Sequence, residues 1–265
     1  MRCYAPGTPT DWEPVKTSHS PASAPFRATL GRSIRLLSAF RKEQTDPDFF
    51  YGLLARDTVA QLAGYVPLPG ALVADIGGGP GYFAEVLRAH GARTVCVDCD
   101  AGEMTARDGV IPEGAVLGSA LDLPLRDGTV DVCFSSNVLE HVPDPWRMAA
   151  EMVRITRPGG VVYLSFTNWL SPWGGHETSP WHYLGGHHAA RRYTRRHGHR
   201  PKNVYGESLY PVSVAAALRW ARRCAQAEVL DARPRYHPRW AAPVIRLPGL
   251  REIVAWNLLL VLRRR

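Results

Sequence analysis

This sequence predicts an α/β fold, a parallel sheet with helices on both faces. Three observations carry that expectation. Leu72, Val73 and Ile76 form a near-continuous apolar run, which suits a central parallel strand covered on both sides. From residue 71 onward, strand-like and helix-like patterns alternate. With 265 residues and 45% hydrophobic content, the chain can bury one full single-domain core.

The first strand ends at Asp75-Ile76 and runs straight into Gly77-Gly78-Gly79-Pro80-Gly81. Bare α-carbons at 77, 79 and 81 let the backbone turn sharply and come close to a ligand. A helix beginning near Pro80 would aim its unpaired N–H groups at that ligand. The dinucleotide fingerprint wants a small residue three after its second glycine, and counted from Gly77 and Gly79 that position is Tyr82.

A second strand, Arg93 to Asp98, is rich in β-branched residues and ends in an acid 23 residues beyond Asp75. A carboxylate at that strand tip can accept hydrogen bonds from ribose hydroxyls. Gly118 to Leu125 follows the third strand. Thr129 to Asn137 reads as the fourth and leads into Val138-Leu139-Glu140-His141-Val142. The fifth enters through Arg157-Pro158-Gly159-Gly160 and runs to Phe166.

These four motifs, in this order over about 100 residues, resemble the class I S-adenosylmethionine (SAM) methyltransferases, in the small-molecule branch known as type 11. The resemblance covers residues 47 to 265. It implies a doubly wound, seven-stranded and mostly parallel sheet with an antiparallel last strand. It implies SAM as cofactor, with the loop of Asp75, Gly77, Gly79 and Gly81 around the amino-acid end and Asp98 on the ribose. Cys99, Ser119, Ala120, Ser136 and Asn137 complete the implied cofactor set. Many relatives carry an acid where Ser119 stands, which shifts the adenine contact toward backbone groups near Ala120.

Ahead of this core, residues 1–26 hold five prolines among polar residues and no apolar stretch, so a disordered tail is expected there. Residues 27–66 read as a helical lid. Leu30, Ile34, Leu37 and Phe40 have helical spacing, and Asp46-Pro47 opens a second helix running to about Ala63. Phe49, Phe50 and Tyr51 either reach the active site from this lid or simply pack. Residues 67–265 form the methyltransferase domain.

Within that domain, 168–212 reads as an acceptor-side basic insertion, because ligands bind outside the carboxyl ends of the strands. Between Thr178 and Gly206 there is no acid, while Arg191, Arg192, Arg195, Arg196, Arg200 and Lys202 all fall there. Much of the net charge of +8 is therefore gathered in this stretch. Three readings stand. One is a solvated helix in an arginine-rich chain, with 29 arginines to 3 lysines. Another is a positive mouth for an anionic small-molecule acceptor. The third is a surface for nucleic acid or an anionic membrane through Arg191 to Lys202. Like charges at i, i+4 (Arg191/Arg195, Arg192/Arg196) repel by a few tenths of a kcal/mol, which favours an anionic partner.

The candidates for chemistry are His176 with Glu177 as its orienting carboxylate, and His141 after the fourth strand. A neutral histidine suits a hydroxyl acceptor near pH 7, so O-methylation of a small molecule is the expected reaction. RNA, a lipid-linked substrate, or SAM binding without turnover are the alternatives. His176 and His182 lack a cysteine or acid to complete a ligand set, so no metal is expected. Five cysteines make no disulfide framework, and Cys96 and Cys99 are expected as buried small hydrophobes on different faces. With no secretory signal in view, the expected compartment is the cytoplasm, peripheral membrane association remaining open. The ten apolar residues Ile253 to Leu262 are too few to span a bilayer, which takes about 20. They read as the end of a helix from about Pro248 and then the buried last strand, Asn257 to Leu262. Ala215 to Cys224 reads as a helix, and Ala227 to Ala232 as the sixth strand.

Overall fold

The computed structural model describes residues 26–43 and 45–265. The tail expected over 1–26 thus lies outside the described residues except for Phe26, whose ring sits 4.8 Å beneath the Arg32 guanidinium.

Seven strands form one sheet: β1 (Leu72–Ile76), β2 (Arg93–Asp98), β3 (Ala115–Leu117), β4 (Val130–Ser136), β5 (Thr156–Thr167), β6 (Ala227–Pro234) and β7 (Asn257–Arg264). Their order is β3-β2-β1-β4-β5-β7-β6, and β7 alone runs opposite to the other six. The first strand lies between the second and the fourth, so the winding reverses there and opens a crevice at the carboxyl ends. Because β7 is antiparallel, its first residue, Asn257, arrives at that same edge opposite Thr167.

Side-chain alternation along each central strand divides the interior into two layers. Val73, Phe134, Tyr163 and Val261 pack with helices α1 (Leu30–Phe40), α2 (Pro47–Leu62) and α3 (Tyr82–Ala89). Ala74, Cys133, Leu164 and Leu260 face helices α5 (Pro145–Ile155) and α7 (Val214–Arg223). Between them in the chain, α4 (Ala101–Met104) follows β2, α6 (Gly186–His197) precedes α7, and α8 (Leu250–Val254) precedes β7. No helix among the described residues is long and apolar enough to cross a membrane.

Local chemistry explains most boundaries. Asp46 caps α2, its carboxylate accepting from Phe49 N at 3.2 Å, with Pro47 in the first turn where a missing N–H costs nothing. Helix α1 departs from expectation in its buried face: Leu30 and Ile34 are exposed, and Arg32, Leu36 and Ala39 are buried. The cause is Arg32, which forms a two-pronged pair with Asp57 of α2 (2.8 and 2.7 Å) and donates to the Arg235 carbonyl. A paired guanidinium outcompetes the apolar stripe. Helix α3 begins at Tyr82 rather than at Pro80, since Gly81 takes a left-handed φ of +83°. Cys99 is exposed, unlike buried Cys96.

Candidate active site

The loop after β1 is turned by three left-handed glycines, at 77, 79 and 81. They face different things. A Cβ on Gly77 would collide with Val138, and one on Gly81 would lie 3.0 Å from Pro112. Gly78, in an ordinary backbone region, is just as confined: a Cβ there would strike Cys96 Sγ and lie 2.8 Å from Asp75 Oδ2. Gly79 alone opens onto space, with nothing within 4 Å of its Cβ position. Its N–H donates to Asp98 Oδ2 at 3.0 Å, which pins the carboxylate at the tip of β2 against the loop. No side chain caps the following α3, so its first-turn amides stay available to an anionic or polar group.

Asp75 lies beneath the loop. It is 1% exposed, its Oδ2 has no partner, and burial, helped by Asp98, pushes its carboxyl up to about 7. Across the crevice, Asn137 adopts φ +59°, its Oδ1 accepting from Asn257 Nδ2 (2.7 Å) and its Nδ2 lying 3.4 Å from Tyr236 Oη. Ser136 Oγ accepts from buried Arg235 Nη1 at 2.9 Å. Ser119 and Ala120 flank the end of β3, and the Ser119 hydroxyl accepts from Leu121 N at 3.1 Å, closing its own turn. Exposed Cys99 follows Asp98.

The β4–β5 side of the crevice centres on a pair of imidazoles. His141 Nδ1 meets the Ser208 carbonyl at 2.8 Å, and its ring lies edge-on to His176, 5.0 Å between centroids. His176 reaches that position through a left-handed φ of +48°. Burial lowers its pKa below the usual histidine value, against the opposite pull of Glu140. The acid that joins them is Glu140 and not Glu177. Glu177 points outward and accepts from Asn203 Nδ2 at 2.9 Å. Glu140 is 1% exposed; its Oε1 accepts from Thr167 N at 2.9 Å and its Oε2 has no partner. His182 is no ligand partner for His176, because its Nε2 is directed at the Ser171 carbonyl, 3.2 Å away. Glu140 was visible in the sequence beside His141; its meeting with His176 was not.

Helices α1 and α2 and the segment after β5 meet at this mouth. Tyr51 stacks on Tyr82 at the start of α3 (5.4 Å) and donates to Glu43 (2.7 Å), whereas Phe50 packs into the core. Phe40 lies against Trp173 at 5.3 Å, and Lys202 pairs with Glu103 of α4 at 2.9 Å. The segment after β5 is thus tied to α1 and to α4.

Counted from Gly79 and Gly81, the third small position of the dinucleotide pattern falls on buried Ala84, so glycine spacing does not by itself decide the cofactor. Comparison with known proteins shows the family. Residues 74–164 match the methyltransferase domain family. The chain is 55% identical over 246 residues to an uncharacterized methyltransferase of Mycolicibacterium gilvum (strain PYR-GCK), covering 89% of this chain and 96% of that protein. It is 53% identical over 255 residues to another from Mycobacteroides abscessus, covering 90% and 96%. In fold it is similar to an S-adenosylmethionine-dependent methyltransferase from Mesorhizobium loti (TM-score 0.54, 20% identity, 75% and 93% of the two chains). A second such likeness is to a SAM-dependent methyltransferase from Methanosarcina mazei (TM-score 0.50, 18% identity, 77% and 96%). Strand order, crevice and relatives agree: this chain belongs to the class I SAM-dependent methyltransferases.

Proposed function

We propose that this methyltransferase holds SAM between the glycine loop and Asn137 and methylates an oxygen of a small-molecule acceptor that enters beside Glu140, His141 and His176. The residues fit such a cofactor. Gly79 leaves its side of the loop open, Asp98 offers a carboxylate one βα-unit away, and the first amides of α3 are uncapped. When bound, SAM supplies a methyl group on an electron-poor sulfonium sulfur.

The observation that carries the acceptor reading is the convergence of two imidazoles and a buried carboxylate at the carboxyl ends of β4 and β5. A hydroxyl is a poor nucleophile until its proton leaves, and these are groups that ease that loss. Tyr51, Trp173 and the lid around them limit water and hold the acceptor in line, which is where much of the rate enhancement of such a transfer arises. Arg235 adds a positive field behind Ser136. It is 1% exposed, and its hydrogen-bond partners are the hydroxyls of Ser136, Ser165 and Thr58. A buried cation matched mainly by neutral groups favours a negative charge nearby, which supports an anionic acceptor. Arg191, Arg195 and Arg196 are exposed and form no ion pair among the described residues, in keeping with an anionic partner approaching from α6.

Incubating cell extract with isotopically labelled SAM and then fractionating it tests the proposal. Label should appear in a small-molecule fraction and fall with His176→Ala while SAM affinity holds. Label in RNA or lipid instead, lost when Arg191, Arg195 and Arg196 are changed to Ala, would replace this reading with the macromolecular one. SAM binding with no labelled product would leave a non-catalytic role.

A further inference from the structure

We infer that Glu140, His141 and His176 form a binding site for a divalent first-row metal cation, whose remaining coordination positions are open to an oxygen of the methyl acceptor. Each residue brings one ligand atom, and these atoms lie within 4.8 Å of one another. Nitrogen and oxygen ligands bound at about 2.0–2.2 Å to one cation lie roughly 3–3.5 Å apart, so small side-chain rotations bring all three into contact.

Four features mark the cluster as a ligand set. First, Glu140 Oε2 is a carboxylate oxygen without a hydrogen-bond partner on a side chain only 1% exposed. Such a group is costly to bury unless a cation meets it. Second, that carboxylate is held in place, since its other oxygen accepts from Thr167 N. Third, a carbonyl oxygen only accepts, so the contact to Ser208 O keeps the His141 proton on Nδ1 and the lone pair on Nε2. Metal-binding imidazoles are oriented in the same way, one nitrogen to the metal and the other to a carbonyl or carboxylate. Fourth, His176 occupies a left-handed conformation that L-residues seldom take, and in doing so sets its ring against His141.

Two imidazoles and one carboxylate suit Zn²⁺, Mn²⁺, Fe²⁺ or Co²⁺ better than the all-oxygen preference of Ca²⁺ or Mg²⁺. Three protein ligands leave coordination positions free, as in sites that act on a substrate rather than brace a fold. The role of the cation rests on the methyltransferase reading above. A hydroxyl bound to it sheds its proton to water far more readily than a free one, leaving the oxygen lone pair to act.

The test uses full-length protein stripped with EDTA and titrated with Co²⁺, followed by its visible absorption. One equivalent should bind with a spectrum of mixed nitrogen and oxygen ligation, and Zn²⁺ should displace it. Glu140→Gln and His176→Ala should each weaken binding by at least about tenfold. Calorimetry with SAM on the same stripped proteins should give equal affinity for all three. Should Glu140→Gln fail to fold, His176→Ala decides, because it lies in a loop outside the sheet, and a thermal melt of that variant beside the parent checks its fold. A parent that binds no Co²⁺, or a His176→Ala variant that binds it as tightly as the parent, overturns the site. Loss of SAM binding in a parent that still takes up Co²⁺ would overturn the cofactor reading and leave the metal site standing.

Discussion

On the β1–β2 side of the crevice, each site residue follows directly from the strand that carries it. Gly77 to Gly81 continue β1, Asp98 ends β2, and a single hydrogen bond from Gly79 N to Asp98 joins them. On the β4–β5 side, Glu140 and His141 follow β4, but their third member, His176, returns from beyond β5 through a left-handed turn. The first bank is built by packing between adjacent strands. The second is built by a loop folding back. Chemistry that depends on register between neighbouring strands is fixed locally, whereas chemistry that depends on loop return is fixed only once the whole domain has closed.

If the first bank is held by packing, perturbing it should show in stability. The largest effect is expected at Asp75. Its buried carboxyl is pushed from the ordinary 3.8 up to about 7, so the folded protein keeps a proton that the unfolded chain loses. Stability therefore falls as pH rises through that window, and the loss persists above it. Asp75→Asn removes this dependence. Urea denaturation near pH 4 and near pH 8 should show the variant gaining on its parent by about 4 kcal/mol across that interval. An unchanged difference would mean that the carboxyl beneath the loop is solvated.

A smaller effect separates two adjacent glycines. Gly78→Ala would drive a methyl group into Cys96 Sγ and Asp75, costing about 1–3 kcal/mol of stability. Gly79→Ala meets no atom, and only its φ of +48° resists, at roughly 1 kcal/mol. Its main effect should be on SAM affinity, since the methyl group would occupy the open side of the loop. Thermal denaturation and calorimetry on both variants check the contrast. Equal stability loss with equal SAM affinity would erase the distinction between confined and open glycines.

The same contrast explains what the sequence made legible. The glycine loop and Asp98 lie in contiguous motifs, each a short apolar run with a polar residue at its end, and the strands form where those runs lie. The partner of His176 could not be read the same way. Glu177 is next to it in sequence, yet adjacent residues on a tight turn point apart, and Glu140 arrives from the end of another strand. Helix α1 failed for a related reason. Its apolar spacing favoured Leu30 and Ile34, but the Arg32–Asp57 pair, visible only once α1 and α2 are packed, rotates that face outward. Strands β6 and β7 run to Pro234 and Arg264, past the apolar residues that announced them, because pairing with a neighbour extends a ladder into polar sequence.

The most direct measurement is calorimetric titration of SAM into the parent, Asp98→Ala and Glu140→Gln. Asp98→Ala should bind at least about tenfold more weakly, the loss of hydrogen bonds to a charged group. Glu140→Gln, on the other bank, should bind like the parent. If Asp98→Ala binds SAM as tightly as the parent, the cofactor does not lie between the glycine loop and the tip of β2, and the division of the crevice into cofactor and acceptor banks is wrong.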